Sequence, residues 1–125
     1  MASILVVDDD ADARDALFRF LKSLGHQVKS APNGREALDS ILAEIPDLIV
    51  LDLLMPEMNG AGLLEVLRAY LRLQALPVII WTAAETSPIL ERARQLKANA
   101  VLIKAKTTID EIRQTIDCEL YRAAN

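Results

Sequence analysis

The sequence has 125 residues, of which 52% are hydrophobic, and its 14 basic and 18 acidic side chains leave a net charge of −4. That is the length of one ordinary domain with one sizeable core, and the composition excludes a wholly disordered chain. The acidic balance and the lack of a Lys/Arg run argue against nucleic-acid binding. No apolar stretch approaches the roughly 20 residues that cross a membrane.

Cys118 is the only cysteine, so no internal disulfide can form, and a reducing compartment fits. The opening MASILVVDDD lacks a basic n-region, and its apolar run stops at Val7, so it does not read as a signal peptide. A soluble, cytoplasmic chain without membrane contact is the expectation.

Short apolar runs alternate with longer amphipathic segments. Ile4–Val7 reads as a first strand. From Asp10 to Leu24 the apolar positions Ala13, Leu17, Phe20, Leu21 and Leu24 recur at helical spacing, and Gly25 is a natural stop. Gln27–Ala31 is a second short strand. Asn33 and Glu36 make a capping box for a helix from Gly34 to about Glu44, which Pro46-Asp47 breaks. Leu48–Leu53 is a continuous apolar run, the pattern of a central strand covered on both faces.

After a loop from Pro56 to Gly60, a third helix to Leu73 puts Leu63, Leu64, Leu67 and Leu71 on one stripe. Val78–Thr82 is the fourth strand. Ser87-Pro88 reads as N-cap and first residue of a helix to about Lys97. Val101–Ile103 is the fifth strand, and the Thr108–Glu111 capping box opens a last helix to about Arg122. Five strands alternating with five helices, (βα)₅, predict an α/β domain: a parallel sheet with helices on both faces. Neither linker nor repeat interrupts residues 1–125, so one domain is expected. In open sheets of this kind ligands bind beyond the carboxyl ends of the strands.

Those ends carry the polar residues. The first strand runs into Asp8-Asp9-Asp10, the third reaches Asp52, the fourth ends in Thr82 and the fifth in Lys104. Asp52 therefore belongs near an open strand end, which explains a carboxylate inside the oily stretch LIVLDLLMPEMNG. Carboxylates held close raise one another's pKa unless a cation neutralises them. Mg²⁺, a hard ion that takes carboxylate, water and phosphate oxygens, suits them, and Mn²⁺ could substitute. A carboxylate nucleophile can accept a phosphoryl group as an aspartyl phosphate, with the Lys104 ammonium and Thr82 hydroxyl available to its oxygens.

In ILVVDDD, LDLLMPEMNG with its D-x-x-M-P-x-M-x-G pattern, PVIIWTA and LIK, all in register, the chain resembles response-regulator receiver domains of the CheY-like type. The resemblance covers essentially the whole chain. It implies a flavodoxin-like doubly wound fold with strand order 2-1-3-4-5 and a phosphoacceptor signalling domain of two-component systems rather than a metabolic enzyme. Residue by residue, it implies that Asp52 accepts phosphate from a phosphohistidine. Asp8, Asp9, Asp52 and the Leu54 backbone carbonyl hold Mg²⁺. Thr82 swings toward the phosphoryl group, and Lys104 pairs with it, or with Asp52 in its absence. Pro56 and Gly60 shape the Leu54 loop, while Leu54 and Ala84 tune hydrolysis. The implied partners are a sensor histidine kinase or phosphotransfer protein and a downstream protein or own output domain. No output domain is expected in these residues. A homodimer through helix four, strand five and helix five is compatible with the resemblance.

Two positions depart from that family. Val101 stands where an aromatic side chain commonly couples to the switch hydroxyl. Ala105 follows the lysine in place of a cis-proline, so the 104–105 bond is expected to be trans, or cis and held by its surroundings. These departures motivate a second hypothesis, a pseudo-receiver that binds partners without phosphate. The complete acceptor set argues against it, and the short connections argue against a third, a small phosphohydrolase.

Away from the site, Trp81 is expected to pack in the core with its N–H seeking a partner. His26 is expected at a surface or edge, and Cys118 as a buried or half-buried structural thiol. Arg92, Arg94 and Lys97 read as a solvated face. Met55 and Met58 read as packing between the loop and the third helix. Asp9 or Asp10 is expected to cap the first helix.

Overall fold

The apolar runs and the capping signals build the elements they predict. The computed structural model describes residues 2–55, 59–85 and 87–124. In chain order they form β1 (Ser3–Val7), α1 (Ala11–Ser23), β2 (Gln27–Ala31), α2 (Gly34–Ala43), β3 (Leu48–Leu51), α3 (Gly60–Ala69), β4 (Val78–Thr82), α4 (Pro88–Gln95), β5 (Ala100–Ile103), a 3₁₀ turn (Lys104–Lys106) and α5 (Ile109–Ala124). The five strands make one parallel sheet in the order β2-β1-β3-β4-β5.

Local chemistry sets where the helices start. Asp10, not Asp9, caps α1: its carboxylate accepts from the backbone N–H groups of Asp12 and Ala13. Asn33 and Glu36 close the capping box of α2, Ser87 caps α4 with Pro88 following it, and Thr108 and Glu111 exchange hydrogen bonds at the start of α5. Asn59 caps α3 through the Gly62 amide.

Alternation along the strands divides the core between the two sheet faces. Leu5, Val7, Ile49, Leu51, Val78 and Ile80 face α2, α3 and α4. Ile4, Val6, Leu48, Val50 and Ile79 face α1 and α5, where Leu17, Leu21, Ile112 and Ile116 meet them. All four residues of β3 are buried, as the unbroken apolar run requires. Burying each such Leu or Ile contributes about 1.5–3 kcal/mol.

Three expectations need correction. The third helix stops at Ala69, because Tyr70 turns extended (φ −91°, ψ 128°), and Leu71 lies 85% exposed. Leu73 and Leu76, in the turn that follows, fill the core instead. Strand β3 ends at Leu51 rather than Leu53, so Asp52 lies one residue past it. Cys118 is exposed. The inward face of α5 is Ile112, Ile116 and Glu119, and the roughly 100° per residue of a helix turns position 118 away from it. Arg92, Arg94 and Lys97 are exposed, and Met55 packs with Leu63, Leu64 and Leu67. Half-buried His26 sits at the sheet edge, where Nδ1 accepts from the Ala2 amide at 3.1 Å. Pro56 and Met58 lie outside the described residues. Among the described residues, no helix is long and apolar enough to cross a membrane.

Candidate functional site

The parallel pairing of β1 with β3 puts Val7 beside Leu51, and the ladder continues past both ends. The Asp8 amide donates to the Ala31 carbonyl and the Asp52 amide to the Val7 carbonyl. Asp8 and Asp52 are thereby held side by side at the carboxyl edge of the sheet. Both are buried, Asp8 at 1% exposure and Asp52 at 5%. Asp9 is exposed, yet one carboxylate oxygen from each of Asp8, Asp9 and Asp52 lies within 4.8 Å of the others. Three hard oxygen donors on this spacing suit a small divalent cation such as Mg²⁺.

Strand alternation decides which side chains converge. Counting by twos along β1, β3, β4 and β5, Asp8 follows Ile4 and Val6, Asp52 follows Leu48 and Val50, Trp81 follows Ile79, and Lys104 follows Ala100 and Leu102. Trp81, with Ala100 and Leu102, belongs to the face that carries α1 and α5, and Asp8, Asp52 and Lys104 each stand one residue past a strand end. Lys104 reaches across to the acids: Nζ stands 2.7 Å from Asp8 Oδ2 and 3.5 Å from Asp52 Oδ2. The pairing expected with Asp52 is therefore shared, with the shorter contact going to Asp8.

The backbone fixes the carboxylates. The Asp10 amide donates to Asp8 Oδ1 at 2.9 Å and the Leu54 amide to Asp52 Oδ1 at 3.2 Å. Arg14, one turn into α1, donates from Nη1 to the Asp8 carbonyl at 2.8 Å. Its position four residues after the cap, on the face that turns back over the strand end, is the signal by which the sequence could have shown it. Gly60 opens α3 hard against this strand end. A Cβ there would overlap the Asp52 carbonyl oxygen and lie 2.7 Å from Leu53 Cα, so only glycine lets the helix start here.

The electrostatics follow from burial. Loss of solvent, helped by the Asp52 charge, pushes the Asp8 carboxyl up to about 6, against the hydrogen bonds from Lys104 and Asp10 and the Lys104 charge that favour its ionised form. Burial works against the Lys104 ammonium too. The hydrogen bond to Asp8 and the charges of Asp52 and Asp8 outweigh it and hold Lys104 above its ordinary value.

Thr82 ends β4 on the other alternation face and is fully buried. Its hydroxyl accepts from the Ala84 amide at 3.4 Å, and among the described residues it makes no hydrogen bond to Asp52 or Lys104. Val101 packs toward the α2–α4 core. The peptide bonds of the described residues are all trans, the 104–105 bond included, and β5 runs straight into the 3₁₀ turn. Trp81 is partly buried against the α1/α5 core, as expected, but its Nε1–H has no partner among the described residues. Its ring lies under the Lys104 ammonium, 5.0 Å from Nζ to the centroid. That contact was invisible to sequence reasoning, since residues 81 and 104 meet only through β4–β5 pairing.

Comparison with known proteins agrees with this geometry. The model of the response regulator receiver domain family matches residues 4–117. The chain is 41% identical over 97 residues to the response regulator MprA of Mycolicibacterium vanbaalenii, covering 78% of this chain and 40% of that protein. It is 39% identical over 110 residues to an uncharacterized 14.6 kDa protein of Leptolyngbya boryana, covering 88% of this chain and 84% of that one. The chain thus spans about two-fifths of the MprA regulator. Among solved structures, the signal receiver domain of a histidine kinase from Syntrophus aciditrophicus superposes with a TM-score of 0.89 at 29% identity, covering 98% of this chain and 92% of that one. A CheY-like receiver domain protein of Methanospirillum hungatei shares the fold, with a TM-score of 0.91 at 24% identity over 99% of this chain and 97% of that one.

Proposed function

Because the chain belongs to the response regulator receiver domain family of two-component systems, we propose that it is a phosphorylatable switch whose acceptor is Asp52. The observation that carries this reading is the Lys104 ammonium seated between Asp8 and Asp52, with an Asp9 oxygen close by, at the carboxyl edge of the sheet. The donor is a phosphohistidine of a sensor kinase or phosphotransfer protein.

In the transfer, an Asp52 carboxylate oxygen forms the new P–O bond while the donor's P–N bond breaks, and the imidazole nitrogen leaves with the electron pair. The Leu54 amide, already on Asp52 Oδ1, orients the carboxylate. Lys104 then moves its ammonium from the carboxylates toward the phosphoryl oxygens, and Thr82 offers its hydroxyl to another. Mg²⁺ held by Asp8, Asp9, Asp52 and the Leu54 carbonyl would supply positive charge against the same oxygens. Water attack on the acyl phosphate returns the domain to its resting state. The chain works in the cytoplasm and passes its state to a protein partner or an output domain, by contacts that include α4, β5 and α5.

The test is to incubate the protein with acetyl phosphate and Mg²⁺ and to measure intact mass. One added phosphoryl group that Asp52→Asn abolishes, and that chelation of the metal prevents, is the expected result. Failure of the wild type to gain it under both acetyl phosphate and a phosphorylated kinase would overturn the reading and favour a phosphate-independent binding module.

A further inference from the structure

We propose that Trp81 is the positioning residue for Lys104: its indole face forms the third wall of the seat that holds the ammonium against the acids. The inference rests on the reading that Lys104 serves phosphoryl transfer at Asp52. Three observations carry it. The first is placement. Trp81 lies on the α1/α5 face beside its β5 partner Leu102, two residues before Lys104, whereas Thr82 does not. The second is distance. Nζ is 5.0 Å from the ring centroid while it bonds Asp8 at 2.7 Å and Asp52 at 3.5 Å, so carboxylates and ring meet the same cation. The Lys104 side chain is only 19% exposed, and a cation this desolvated gains most from a ring face.

The third is the unpaired donor. Nε1–H is buried with no acceptor among the described residues, which works against an indole that did nothing but fill space. A leucine or phenylalanine would fill the α1/α5 core without that unpaired group. The feature that compensates is the broad π face turned to Lys104. Lysine carries a long flexible stem, and two carboxylates alone leave its ammonium free to wander between them. A ring on the third side narrows that freedom, so the cation lies close to where phosphoryl charge develops.

The experiment compares wild type with Trp81→Phe, which keeps a ring, and Trp81→Leu, which does not. In the protein without metal or phosphate, NMR of the Lys104 ε-methylene is expected to show an upfield ring-current shift. Trp81→Phe should retain part of it and Trp81→Leu should lose it. With acetyl phosphate at saturating Mg²⁺, Trp81→Leu should slow phosphorylation roughly three- to thirtyfold, with Trp81→Phe much nearer wild type. Mg²⁺ affinity should not fall in either variant.

An unshifted Lys104 resonance in the wild type overturns the proposal, and this arm needs no variant to fold. So does a Trp81→Leu rate equal to wild type. A loss of Mg²⁺ affinity that matches the loss of rate also overturns it, because that marks general damage to the acidic pocket. If wild type takes no phosphoryl group, the proposed function falls instead, and the ring-current measurement still decides whether the indole seats Lys104.

Discussion

Lys104 bonds Asp8 more closely than Asp52: its ammonium lies 2.7 Å from the first and 3.5 Å from the second. Even with that cation beside it, burial keeps the Asp8 carboxyl at about 6 against an ordinary value of 3.8. Between these values the folded protein holds a proton that the unfolded chain releases. Stability from this group is complete below about 3.8 and is lost as pH rises through about 6, a change of at most about 3 kcal/mol. Urea unfolding without metal should therefore show wild type gaining on Asp8→Asn as pH falls from 7 to 5. Mg²⁺ bound at the proposed site would compete with that same proton. Its affinity should fall below pH 6, by about tenfold per pH unit for one proton, in titrations of the wild type.

Gly60→Ala should damage both stability and site. The added methyl meets the Asp52 carbonyl and Leu53 Cα, both backbone atoms that cannot rotate aside. A loss of about 1–3 kcal/mol in denaturant unfolding is expected, together with slower phosphorylation of Asp52. Gly25→Ala is the control. Nothing crowds its Cβ, but φ is +93°, so it should lose stability and leave phosphorylation unchanged.

Leu54 is 44% exposed at the mouth of the site, and the Ala84 amide rests on the Thr82 hydroxyl. Apolar side chains at both positions should keep water from the acyl phosphate and make it long-lived. Replacing them with polar residues, as in Leu54→Asn with Ala84→Glu, should speed hydrolysis, by a factor of order ten. Decay of the phosphorylated mass after removal of acetyl phosphate measures it, and a rate equal to wild type would count against water exclusion.

Arg68 ties the far end of the sheet together. Its guanidinium donates to the carbonyls of Leu76, Leu96 and Lys97 and to Asn99 Oδ1. Arg68→Met should cost roughly 3 kcal/mol, since it strips partners from several part-buried acceptors at once. Lys97, at φ 63°, takes the left-handed backbone that ends α4. Lys97→Gly should stabilise by up to about 1 kcal/mol, read as a rise in the urea midpoint with an unchanged slope.

The sequence by itself determined the order of elements, most helix starts and the residues of the acidic pocket. Those signals are short-range. Capping at Asn33, Ser87 and Thr108 acts within three residues, strand runs such as Leu48–Leu51 are contiguous, and the motif from Asp52 to Gly60 covers nine consecutive residues. Only the tertiary structure decided what depends on distant partners. Leu71 leaves the core because α3 ends early and Leu73 and Leu76 take the space, and Cys118 turns outward because Ile112, Ile116 and Glu119 claim the inward face. Lys104 pairs with Asp8, 96 residues away, and lies over Trp81, because sheet pairing brings the ends of β1, β3 and β5 together beside β4. No local pattern specifies that choice, since it is settled by which buried charges and ring faces the closed sheet brings within reach.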